Sequence, residues 1–126
     1  MKNKKITNQY LKELYSDKEF PFPFCQNFYR GFDVRETFDY DVYFIHHLYM
    51  VLRYYQDHVA EIVDLEFHKI TIKNKTNTLL NWIEEMIKDC KEIIHEWECC
   101  RDENLIQDTV DDLFEILSKC LYYLWW

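Results

Sequence analysis

The side chains that could do chemistry in this chain are histidines, cysteines and carboxylates, and most of them fall in its last third. Glu92-x-x-His95 has the i, i+3 spacing that di-iron helix bundles use. Such a site requires a second copy of the pair and two further inward carboxylates. No second Glu-x-x-His occurs, so a di-iron centre is not expected. His95 and Cys99 stand at i, i+4 and could chelate zinc together with His46, His47 or Cys25. That spacing matches no standard zinc module, and the expectation is a chain with no resident metal and no cofactor. For covalent catalysis the one candidate pairing is Cys25 with His46 or His47, and nothing local to either residue marks an activated thiol. A single glycine rules out a glycine-rich phosphate loop. No catalytic residue is therefore assigned.

The carboxylates are more regular. Glu85, Asp89, Glu92 and Glu96 fall at i, i+4, i+7 and i+11, one stripe of a helix, about 200° around from the apolar stripe that starts at Ile83. Asp108, Asp112 and Glu115 form a second stripe, about 200° from Ile106, with Asp111 beside it. Both are expected to face water. Residues 81–126 hold 12 acidic and 4 basic side chains, which is the whole formal charge of −8, while residues 1–80 are neutral. A rigid face with carboxylates about 6 Å apart along the axis has roughly the charge spacing of a nucleic-acid strand. Such a face suits a basic groove built to hold DNA or RNA, and the same charge argues against direct binding of nucleic acid.

Two acidic stretches carry a resemblance. Glu84-Glu85-x-x-x-Asp89, followed by Asp108-x-x-Asp111-Asp112-Leu113-Phe114, resembles the all-α nucleoside triphosphate pyrophosphatases of the MazG-like type. Those enzymes carry an acidic E-x-x-E motif on one helix and E-x-x-D on the next. The resemblance covers the last third of the chain and implies Mg²⁺ bound between two helices. Ile87 and Lys88 stand where the second acid of the first motif belongs. In the family the acids face an interhelical cleft, whereas the stripes read here turn outward.

The elements that must position these groups follow from periodicity. Of 126 residues, 48% are hydrophobic and 30% charged, with one Gly and two Pro, a balance that favours long helices in a folded domain. Ile6, Tyr10, Leu11, Leu14 and Tyr15 predict a helix over 6–17, stopped before the prolines of Phe20-Pro-Phe-Pro-Phe24. Residues 18–36 form a long aromatic loop that either wraps the fold or docks a partner. A helix capped by Thr37 runs to about His58 on Val42, Ile45, Leu48, Tyr49, Leu52, Tyr55 and Val59. Residues 59–72 fit either period, and helix is preferred because one isolated strand would have no partner. Lys73–Asn77 is a polar break. Asn77 or Thr78 caps a third helix with its core at Leu79, Leu80, Ile83, Met86, Ile87, Cys90, Ile93, Ile94 and Trp97. After a turn at 101–103, Asn104 with Gln107 has the form of a capping box for a fourth helix built on Ile106, Val110, Leu113, Leu117, Cys120, Leu121 and Leu124. A connection this short makes the last two helices an antiparallel hairpin.

The expected fold class is all-α: a single domain over 1–126, a small bundle of about four helices with a long aromatic loop and a C-terminal acidic helical hairpin. The aromatic tail, with Trp125 and Trp126 at its end, is expected to clasp the loop or to join a homodimer or partner. The five cysteines are read as reduced thiols, and no apolar segment is long enough to be a signal or a membrane span, so the expected location is the cytoplasm. The functional expectation is a non-catalytic interaction protein. It would be an inhibitor of phage or mobile-element type, similar in kind to an anti-CRISPR or other nucleic-acid mimic. Its acidic helical face would meet a basic surface, such as that of a nucleic-acid-binding enzyme. The expected partner-binding residues are Glu85, Asp89, Glu92, Glu96, Asp108, Asp111, Asp112, Glu115, Trp125 and Trp126. The enzyme alternative is the Mg²⁺-dependent pyrophosphatase.

Overall fold

The computed structural model describes residues 9–15, 40–62 and 64–124. The aromatic loop, the Thr37 cap, Cys25, Trp125 and Trp126 lie outside the described residues. The chain divides into two compact units, Met1–Met50 and Val51–Trp126. It is mostly helical, with one two-stranded sheet.

In the first unit, α1 (Gln9–Tyr15) buries Tyr10, Leu11 and Tyr15. The opening turns of α2 (Tyr40–Asp57) bury Tyr43, Ile45, His46, Leu48, Tyr49 and Met50. The two helices meet at Tyr15 and His46, whose rings stack 5.8 Å apart. His46 Nδ1–H donates to the Val42 carbonyl at 2.7 Å, which leaves Nε2 to accept from the Tyr15 hydroxyl. Both ring nitrogens of a fully buried histidine are thereby satisfied. Burial lowers its pKa and outweighs the opposing effect of the Val42 bond, so the ring is neutral.

The second unit begins within α2, where Leu52 and Tyr55 continue the buried stripe and Arg53 pairs with Asp57 at 4.0 Å. A single 3-10 turn at Val59–Glu61 ends that run. Helix does not continue to residue 72. β1 (Lys69–Ile72) instead pairs antiparallel with β2 (Lys75–Thr78), in the register Lys69↔Thr78 to Ile72↔Lys75. The chain is thus mostly helical, as expected, with one small two-stranded sheet added, and the preference for helix over 59–72 is corrected. The partner that a lone strand would lack is the polar segment read as a break. It becomes a strand because Lys73 and Asn74 both adopt left-handed backbone, φ 52° and 63°, and turn the chain in two residues. Ile70 and Ile72 point inward toward α4, while Thr71 and Thr76 hydrogen-bond across the exposed face at 2.6 Å. Trp82 Nε1–H donates to the buried Ile70 carbonyl at 2.8 Å and ties the hairpin to the next helix.

α3 (Leu79–Glu98) starts where Thr78 Oγ1 accepts from the Asn81 amide at 3.2 Å, the expected cap. α4 (Glu103–Cys120) is capped by Asp102, whose carboxylate accepts from the Leu105 amide at 3.1 Å. The Asn104–Gln107 capping box is therefore not the one used: Gln107 reaches forward to Asp111 at 2.8 Å. α3 and α4 pack along each other, as an antiparallel hairpin with a short connection must. Their facing stripes bury Leu79, Ile83, Met86, Ile87, Cys90, Ile93 and Ile94 on α3 and Leu113, Ile116, Leu117 and Cys120 on α4. Beyond α4 a 3-10 turn at Leu121–Tyr123 rotates the chain off the helical spacing. Leu121 is consequently 63% exposed, where the helical period had placed it in the core. No helix among the described residues is long and apolar enough to cross a membrane.

Candidate functional site

The two acidic stripes do not simply face water on opposite sides of their cores. They meet. Asp89, three turns into α3, hydrogen-bonds Asp112 on α4, and Glu85 and Glu92 add their fields to the same spot. The physical reason is the width of the apolar contact. A helix wheel measures angle from the helix's own core, but a neighbouring helix covers the flank of that core as well. Asp89 lies on the flank that α4 approaches, and it is half-buried.

Two carboxyls cannot share a hydrogen bond while both are ionised, so one must hold a proton. Desolvation, the bond to Asp112 and the surrounding acids together push Asp89 up to about 8. Asp112 moves the other way, held low by its bond to Asp89 and by Lys73. The proton therefore resides on Asp89, which donates to an ionised Asp112. Asp89 Oδ2 is buried and accepts no hydrogen bond, a state that a neutral acid tolerates far better than a carboxylate.

Lys73, in the turn between the strands, reaches Asp112 at 3.2 Å and Glu115 at 3.3 Å. Its pKa is raised, first by the hydrogen bond to Asp112 and then by that to Glu115. The sequence placed Lys73 in a featureless polar break. No local pattern could connect it to acids about forty residues away. The result is a seam of five acids, Glu85, Asp89, Glu92, Asp112 and Glu115, relieved by one lysine and one shared proton.

Glu96 departs most from expectation. It is 7% exposed, and its Oε1 accepts the Asp102 amide at 3.2 Å, so it fastens the α3–α4 connection at the N-terminal end of α4. It is a structural residue and is not available to a partner. Glu92, Asp108 and Asp111 are exposed, and Glu85, Asp112 and Glu115 are half-exposed. At the chain end an aromatic ladder runs Phe67, His68, Tyr123, Tyr122, with ring separations of 5.4, 4.7 and 5.4 Å. Its outer members, Phe67 and Tyr122, are 75% and 82% exposed.

Of the ligand donors, His95, Cys99 and Cys100 offer three atoms that all lie within 4.8 Å of one another. Among the described residues the companion of His95 and Cys99 is thus their immediate neighbour Cys100, which the i, i+4 spacing does not include. His46, one of the sequence candidates for that role, is engaged by Tyr15 and Val42 instead. Cys90 and Cys120 are buried, and desolvation pushes Cys120 to about 11 and Cys90 well above the usual thiol range, which leaves both unreactive.

No protein-family model matches this chain, and no match is found among curated proteins or solved structures.

Proposed function

We propose that this chain is a non-catalytic binding protein that lays its acidic α3–α4 hairpin against a basic surface of another protein. The observation that carries the reading is the union of the two stripes. The hairpin holds the full −8 formal charge, and packing gathers five of its acids on one seam, with Glu92 exposed on it and Asp108 and Asp111 exposed elsewhere on the same hairpin. A rigid array of this kind competes for grooves that recruit phosphates, because focusing fields act on any dense negative charge. The partner class is a nucleic-acid-binding enzyme, the mode is inhibition by nucleic-acid mimicry, and the setting is the cytoplasm. A phage-encoded or mobile-element inhibitor of anti-CRISPR type is the narrower form of this proposal.

The test is competition. The full chain is added to a panel of nucleic-acid enzymes with basic clefts, and displacement of labelled duplex DNA is followed. The expected result is displacement by at least one enzyme's partner site, weakened by salt and lost in the Glu92→Lys/Asp108→Lys/Asp111→Lys variant. These positions are exposed, so the fold should survive. Displacement that ignores salt and the triple reversal would sink the proposal.

A second reading draws on the meeting of Asp89 and Asp112 across the two helices, which is where acids of the pyrophosphatase-like motifs would have to converge. It predicts Mg²⁺-dependent release of pyrophosphate from some nucleoside triphosphate. A full panel without turnover removes it.

A further inference from the structure

The C-terminal end of α3 carries a cluster unrelated to the acidic seam. His95 and Cys99 are one helical turn apart on the same face, and the Cys99 amide bonds the His95 carbonyl at 2.9 Å, which keeps that turn closed. Cys100 would point away on a continuing helix. It does not, because the helix stops there. Arg101 takes left-handed backbone, φ 51°, and its amide returns to the Glu96 carbonyl at 2.7 Å. The helix ends at Glu98, with Cys99 as its C-cap at φ −109° and ψ −66°, and the Cys100 sulfur lies within 4.8 Å of the Cys99 and His95 donor atoms.

We propose that His95, Cys99 and Cys100 bind one thiophilic cation of the zinc class through an imidazole nitrogen and two thiolates, with a fourth position open to solvent. The three donor atoms lie within 4.8 Å of one another. Around a tetrahedral zinc with bonds of about 2.3 Å to sulfur and 2.0 Å to nitrogen, donors are separated by roughly 3.5–3.8 Å. Closing on the ion thus takes a contraction of about an ångström, which exposed side chains achieve by small rotations. The charges suit the same ion. Two thiolates and a neutral imidazole balance a dication, and the Glu96 and Asp102 carboxylates contribute negative field at Cys100. Sulfur and nitrogen donors select zinc or monovalent copper over magnesium or calcium, which prefer oxygen. Three protein ligands on an exposed turn leave one position for water or for a donor from another molecule.

The experiment uses the full chain, reduced with a phosphine so that the vicinal thiols cannot pair. Zinc is titrated in competition with a chromophoric chelator, and cobalt is used separately as a spectroscopic probe. Wild type should bind one equivalent of zinc, and cobalt should give a thiolate-to-metal charge-transfer band. His95→Ala should weaken zinc by at least ~10-fold. Cys99→Ser/Cys100→Ser should lose both the stoichiometric zinc and the band. All three side chains are exposed, so circular dichroism should match wild type in each variant. Absence of stoichiometric zinc in wild type, or undiminished binding by the double serine variant, overturns the assignment.

Discussion

Replacing Asp89 with asparagine removes a carboxyl that packing forces to keep its proton. The amide is nearly isosteric and still offers a donor to Asp112, so the hydrogen bond survives while the ionisation is gone. Asp89 is raised from 3.8 to about 8 in the folded chain, chiefly by desolvation. The folded protein therefore binds a proton that the unfolded chain releases. Between about pH 4 and about pH 8 the native state holds more protons than the unfolded state, so this group's stabilisation is full below the lower value. It falls as pH rises through the window and is gone above the upper one. A shift of about four units on a half-exposed carboxyl, discounted for solvent screening, is worth about 1–2 kcal/mol. Urea denaturation followed by far-ultraviolet circular dichroism at pH 5, 7 and 9 gives the measurement. Asp89→Asn should be close to wild type at pH 5 and more stable than it by about 1–2 kcal/mol at pH 9. Taking the difference between the two proteins cancels the shared groups that do not interact with Asp89; Asp112 titrates together with Asp89, so its change is part of the measured difference. Parallel pH profiles, or a variant less stable than wild type at pH 9, would refute the shared-proton seam.

Three further outcomes are expected. Trp82→Phe removes one of two donors to the Ile70 carbonyl, which the strand register also pairs with Asn77, and should cost about 0.5–1.5 kcal/mol in chemical denaturation. Asn74→Gly places the residue best suited to left-handed backbone at φ 63° and should stabilise the hairpin by about 0.5–1 kcal/mol, read as a raised denaturation midpoint. His46, whose pKa is lowered by burial, stabilises its unit fully above the unfolded value and loses that contribution as pH falls below it. Near-ultraviolet circular dichroism between pH 7 and 5 should show loss of tyrosine packing in wild type and a smaller loss in His46→Gln, which cannot titrate.

Much of the helical framework was legible because a helix buries residues at its own period. The stripes at Leu79–Ile94 and Leu113–Cys120 are buried as spacing predicts, Thr78 caps as its position predicts, and the charge asymmetry of the hairpin is a matter of counting. The strands were not legible. Four residues are too few to establish a period, Lys75–Thr78 has no apolar face, and the turn uses Lys73 and Asn74 in a chain with a single glycine to announce left-handed backbone.

The chemistry of the acids belongs wholly to the tertiary structure. The sequence by itself determined that twelve carboxylates would lie on two adjoining helices and the turn between them, and that most would fall away from the apolar stripes. Packing alone decided that Glu96 is buried on the Asp102 amide, that Asp89 shares a proton with Asp112, and that Lys73 arrives as their counter-ion. It also decided that Cys100 turns back toward His95 and Cys99. Periodicity fixes the direction of a side chain relative to its own helix. Charge state and ligand geometry depend on which other element occupies that direction, and those contacts join residues far apart in the chain or depend on where a helix ends.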